Sequence, residues 1–312
     1  MLCFSHVFPV GDPRVSGMEQ QEIIEKRIQD YIGRMPSLST TVSKVLEICN
    51  LPNASANDLN RVISLDPVLT AHVLKLINSA YYALPNQVSS LARAIIMLGL
   101  NTVKNLALST AVVGAIGKKA SFSVLPMDSF WGHSICVGVT AKALAAMRGV
   151  AVSQREEYFV AGMLHDLGKI PLNVCFAEQY GQALQLAALE QGSLARAEQL
   201  FVGLDHGMVG RLMAEKWRLS GSIVEAMSRH HAPEQATDDC RVLVATVALA
   251  NLYANIYEIG SAGDLFPESA FLFTILDLMG LRWADLWPLA EVVRLEIEKA
   301  QVFLHLDDKE AR

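Results

Sequence analysis

The residues of this chain best suited to chemistry are His165 and Asp166, adjacent in the stretch Ala161-Gly-Met-Leu-His-Asp-Leu-Gly-Lys169. An imidazole is a ligand for transition metals, and a carboxylate beside it adds charge and can bridge two ions. Two adjacent residues match by chance in many proteins, so the pair gains weight only from its company. Five of the eight histidines fall between positions 133 and 231: His133, His165, His206 and the doublet His230-His231. Lys169, three residues past Asp166, lies on a similar side and is placed to contact a phosphate. Asp205 reads as the cap of a helix beginning at His206. Two readings stand open. The histidines either hold a divalent transition metal, with Fe, Mn, Ni and Zn as candidates, or form a hydrogen-bonded network in the core. The doublet before Pro233 also suits the surface at a helix carboxyl end. Burying several histidines without partners costs free energy each time, which favours one shared polar site over separate accidents.

The elements that must position these residues read as helices almost throughout. Apolar residues at Ile23, Ile24, Ile28 and Ile32 have helical spacing over 19–33. Pro36-Ser37-Leu38 breaks the chain before a second helix to about 50. Ser55-Ala-Asn-Asp58 resembles a capping box, and Asp66-Pro67 supplies a cap and a first-turn proline for a helix to about 80. Helices over 90–98 and 101–116 close at Gly99 and Gly117. The aperiodic stretch 118–126 is a boundary between two helical units. Beyond it the spacing predicts helices at 128–148, 154–168, 178–191, 194–202, 206–217, 221–231 and 240–257. A final pair follows at 267–279 and 283–304, before a charged tail. Ser153-Gln-Arg-Glu156 is a second capping-box candidate, opening the helix that delivers His165-Asp166. Alternating β-branched runs are missing, and the fold class is all-α.

Composition narrows the function. The chain has 312 residues, 52% apolar and 19% charged, with a net charge of −6, which fits a well-buried globular protein. The acidic balance, with no basic run longer than Lys118-Lys119, argues against nucleic acid or an anionic membrane as partner. Five scattered cysteines without a C-x-x-C pair suit a reducing, cytoplasmic compartment. The uncharged stretch Val242–Tyr257 is too short to span a bilayer. Residues 1–17 carry Pro and Gly without the pattern of a signal peptide, and read as an extension or the product of a misplaced start.

Several motifs occur together in an order that resembles a known family. Phe130-Trp-Gly-His133-Ser, the His165-Asp166 stretch, Asp205-His206 through Gly210 and Trp217, and His230-His231-Ala-Pro233 resemble the HDOD domain, the HD-related output domain of bacterial signalling proteins. Met35-Pro-Ser-Leu38, Ile63-Ser-Leu-Asp-Pro67, Leu74-Lys-Leu-Ile-Asn-Ser-Ala-Tyr-Tyr82 and Ser89 through Gly99 agree with its amino-terminal part. The resemblance covers roughly 25–235. It implies an extension over 1–18, an amino-terminal helical unit over 19–120, an HD-like unit over 126–258 and carboxyl-terminal helices over 264–305.

The family is similar in fold to HD phosphohydrolases, including the HD-GYP phosphodiesterases. By that resemblance His133, His165, Asp166, Lys169, His206, His230 and His231 occupy ligand or substrate positions, with Asp166 and Lys169 catalytic if the protein is active. Two departures count against activity. The terminal aspartate ligand of active relatives is matched here by Asn251, which brings no charge, and no Gly-Tyr-Pro follows His231. The implied function is regulatory output through a signalling protein or a small phosphorylated ligand, with metal-dependent phosphohydrolysis as the alternative. The final helices, bearing Leu286, Leu289, Val292, Val293, Leu295 and Ile297, are expected to pack on the core.

Overall fold

In the computed structural model the described residues are 17–49, 51, 53–116, 124–266 and 269–304. Nearly all of the extension 1–18, most of the boundary 118–126 and the charged tail lie outside them. The described residues form α-helices joined by short turns, with no strand among them.

The amino-terminal part runs α1 (Gly17–Arg34), α2 (Thr40–Cys49), α3 (Ala56–Ile63), α4 (Pro67–Ile77), α5 (Leu91–Leu98) and α6 (Leu100–Ile116). Its starts follow the local chemistry. Ser55 and Asp58 cap each other's backbone around α3, and Asp66 accepts from the Leu69 amide ahead of α4. These caps satisfy amide groups that a helix start leaves unpaired. Asn78 closes α4, donating to the Leu74 and Val88 carbonyls and accepting from the Val88 amide.

The second part runs α7 (Met127–Met147), α8 (Val152–Leu164), α9 (Lys169–Cys175), α10 (Ala177–Glu190), α11 (Leu194–Phe201), α12 (His206–Lys216), α13 (Gly221–Arg229) and α14 (Asp238–Ile256). Then come α15 (Ser269–Met279) and α16 (Leu289–Ala300). Helices α7 and α8 pack side by side at the centre, with α14 laid across both and α13 against α8. α6 also packs on α8, and α16 packs on α7 with Leu289 and Val293 buried.

One apolar core runs from Ile28 in α1 to Phe303 after α16, so the two parts share an interior. Tyr81 joins them, its ring 5.5 Å from Phe159 and 5.4 Å from Phe303. The Lys142 ammonium lies over the Tyr81 ring and is paired with Glu156. That pairing explains a departure from expectation. Glu156 is buried toward α7, so the capping box from Ser153 does not form, and α8 starts at Val152 without a side-chain cap. A second departure is α9, whose Pro171 and Asn173 weaken a helical pattern. Packing against α1, α10 and α12 imposes the helix, burying Ile170 and Leu172.

Candidate metal centre

Most of the sequence-predicted site residues sit at helix ends around one interior point, while His133 and Asn251 lie within α7 and α14. His133 projects from α7, and His165 and Asp166 end α8. Lys169 opens α9, His206 opens α12 behind its Asp205 cap, and His230-His231 end α13. Gly168 permits the convergence. A Cβ there would stand 1.9 Å from the His206 carbonyl oxygen and 2.6 Å from the Gly210 nitrogen, so only glycine lets this turn press against α12.

The geometry centres on Asp166, whose side chain has no exposed surface. Its Oδ2 lies 3.3 Å from His165 Nε2 and 3.7 Å from His133 Nε2, while Oδ1 lies 3.3 Å from His206 Nε2 and 3.6 Å from His230 Nε2. The outer ring nitrogens of three histidines are committed. His165 Nδ1 donates to the Gly162 carbonyl at 2.7 Å, His230 Nδ1 to the Ala226 carbonyl at 3.0 Å, and His206 Nδ1 to Glu198 at 2.6 Å. A carbonyl oxygen can only accept, so these bonds set the tautomer and turn each Nε2 lone pair inward. His206 Nε2 then faces His230 Nε2 at 3.2 Å and His231 Nε2 at 2.9 Å. Where two such lone pairs face each other, as at His206 and His230, a cation or a shared proton between them removes the repulsion. The separations are those of neighbouring donors on one ion with bonds of about 2.1 Å.

The donor set passes a further test. Both His133 ring nitrogens, His165 Nε2 and Asp166 Oδ1 are buried and take part in no hydrogen bond among the described residues. Orphaned polar atoms of this kind are costly, and here they converge. Three overlapping groups have ligand atoms within 4.8 Å of one another: His206, His230 and His231; His133, His165 and Asp166; and Asp166, His206 and Asp264. The residues fit a divalent transition metal, with outer hydrogen bonds of the kind that orient metal-bound histidines.

The electrostatics agree with a neutral, ligating state for several rings. Burial pushes His133 down to about 3 and His230 down to about 4. Burial, with His230 and His206 adding to it, holds His231 well below its ordinary value. His206 is raised: burial opposes its charge, but Glu198 outweighs that. Asp166 is held well below the usual carboxylate range, burial being overcome by His165 and Lys169.

Two carboxylates at the centre were not expected. Glu198 of α11 accepts from both the backbone and the ring of His206. It shares the buried stripe of Leu194, Ala197 and Phe201, and an acid on an apolar helical face is a signal the sequence does carry. Asp264 arrives on the loop after α14, where Gly260, at φ +66°, lies against the α7 backbone. No spacing pattern announces it. Lys169, placed by sequence to meet a phosphate, is bonded to Asp166 at 2.8 Å and to Asp264 at 2.6 Å. Asn251 lines a cavity of about 80 Å³ together with Ser193, His231, Asn255 and Asp264, and its carbonyl accepts from Asn255.

The sequence model of one family, described as HDOD domain, matches residues 35–233. Among solved structures, an HDOD domain protein of unknown function from Geobacter sulfurreducens is 24% identical, with a TM-score of 0.68 over 89% of this chain and 98% of that one. A candidate phosphohydrolase of Shewanella amazonensis SB2B is 24% identical, with a TM-score of 0.66 over 90% and 97%. A candidate signal transduction protein of Marinobacter aquaeolei VT8 is 19% identical, with a TM-score of 0.68 over 94% and 67%. At these identities the likeness establishes a shared fold. An uncharacterised protein of Treponema pallidum (strain Nichols) is 24% identical over 246 residues, 79% of this chain. The chain spans about half, 47%, of that curated relative's length.

Proposed function

The chain belongs to the HDOD domain family, and on that premise we propose that it is a signalling output module whose histidine–aspartate centre holds a divalent metal without turning over phosphoesters. Its output is contact with a signalling protein or a small phosphorylated ligand. One observation carries the reading: the two candidate catalytic groups, Asp166 and Lys169, are bonded to each other with no exposed side-chain surface. An incoming phosphate would have to break a buried, charge-assisted pair before meeting either group. The adjoining cavity of about 80 Å³ is far below the size of a nucleotide site.

His133, His165, Asp166, His206, His230 and His231 would hold the ion, with Asn251 at the edge of the set. The chain's own groups fix the tautomers of His165, His230 and His206 through Gly162, Ala226 and Glu198. The metal's identity among Fe, Mn, Ni and Zn is a matter for elemental analysis of anaerobically purified protein.

The second reading, a metal-dependent phosphohydrolase, draws on the same convergent donor set. A bound divalent ion supplies acidified water and polarisation of a phosphoryl oxygen. The experiment is an assay with phosphomonoesters, phosphodiesters and cyclic dinucleotides, in the presence of Mn²⁺ or Fe²⁺. We expect no turnover. Clear hydrolysis that is abolished in His165→Ala would overturn the proposal.

A further inference from the structure

We infer that Lys169 takes the place of a second cation in this centre, so that the site accepts one divalent ion and not two. The inference rests on the metal-holding reading above and deepens it. Asp166 is placed as a bridging carboxylate, with Oδ1 toward His206 and His230, and Oδ2 toward His133, His165 and the Lys169 ammonium. Asp166, His206 and Asp264 form one of the three groups able to surround an ion, and the Lys169 nitrogen is already bonded to both carboxylates of that group. Its side chain has no exposed surface, and the Asp264 side chain is 11% exposed. An ammonium sealed between two carboxylates is a cation in a metal's position.

Charge decides how many further cations the pocket tolerates. Asp166, Glu198 and Asp264 supply three negative charges, and Lys169 one positive charge. With neutral imidazoles two negative charges remain, which one divalent ion cancels. A second divalent ion would leave two uncompensated positive charges in a buried site, where unpaired charge is most costly. The same count assigns a role to Asp264. It binds the ammonium together with Asp166 and adds the charge that Asn251 does not bring.

The test is an ion count on the full chain. Protein stripped with chelator is titrated with Co²⁺ by calorimetry, and crystals grown in excess Co²⁺ are read by anomalous scattering at the cobalt edge. Wild type is expected to bind one equivalent and give one anomalous peak. Lys169→Met, checked for folding by circular dichroism, is expected to bind two equivalents, the second lost again when Asp264→Asn is added. Lys169→Arg keeps the charge and is expected to stay at one. Should the methionine variant not fold, Lys169→Gln, whose amide can still donate to a carboxylate, makes the same comparison. Two ions in wild type overturn the inference, as does a folded Lys169→Met or Lys169→Gln that still takes one. No ion in wild type or any variant removes the metal-holding reading itself, and the inference with it.

Discussion

Glu198 is the residue on which the orientation of His206 depends. Its carboxylate accepts from the His206 ring at 2.6 Å and from the His206 backbone at 2.8 Å, in an environment without solvent. Glu198→Gln keeps the shape but removes the charge that favours the Nδ1–H tautomer. Such outer partners typically carry a 10- to 100-fold share of metal affinity. We expect Co²⁺ affinity to fall by roughly that factor with the circular dichroism spectrum unchanged, as measured by competition with a chelator of known affinity. Unaltered affinity would mean that Glu198 serves the apo fold alone. At this scale the sequence exposed the histidines and Asp166 because their residue types are rare in an apolar chain. It did not expose Asp264, since an aspartate in a Gly-rich loop looks like any turn residue.

Helix ends do the positioning. His165, His206 and His230 stand at the end of α8, the start of α12 and the end of α13, where the backbone stops paying its own hydrogen bonds and side chains can turn inward. The close approach at Gly168 holds the first two of these ends together. Gly168→Ala places a methyl group 1.9 Å from the His206 carbonyl oxygen, and backbone on both sides has no room to yield. Overpacking of this kind costs about 1–3 kcal/mol and occasionally more. The expected result is a lowered thermal midpoint together with weakened Co²⁺ binding; full stability with full binding would refute the tight contact. The helices themselves were largely legible, because capping at Ser55, Asp66 and Asp205 and the 3.6-residue spacing are local properties. The capping box at Ser153 was misleading for a non-local reason, since Lys142 claims the Glu156 carboxylate.

Across the whole molecule, burial of the histidine cluster ties stability to pH. His133 and His230 stand near 3 and near 4 in the fold, against about 6.5 when unfolded. Between those limits the unfolded chain binds the extra protons. The contribution of these two histidines is therefore full above about 6.5 and declines as pH falls through the window, by roughly 1.4 kcal/mol per pH unit for each, while His206, raised by Glu198, works in the opposite sense. Thermal melts of chelator-treated protein from pH 7 to pH 4.5 are expected to show this decline; a flat profile would contradict the burial. No single helix among the described residues is long and apolar enough to cross a membrane. The sequence by itself determined the helical class, the family and the list of metal-competent histidines, because composition, period and motif order are properties of the linear chain. Tertiary structure alone decided that Lys169 is enclosed by Asp166 and Asp264, and that His206 Nε2 faces the Nε2 atoms of His230 and His231. Those facts depend on distances between segments up to 95 residues apart, which only the packing of one helix end against another sets.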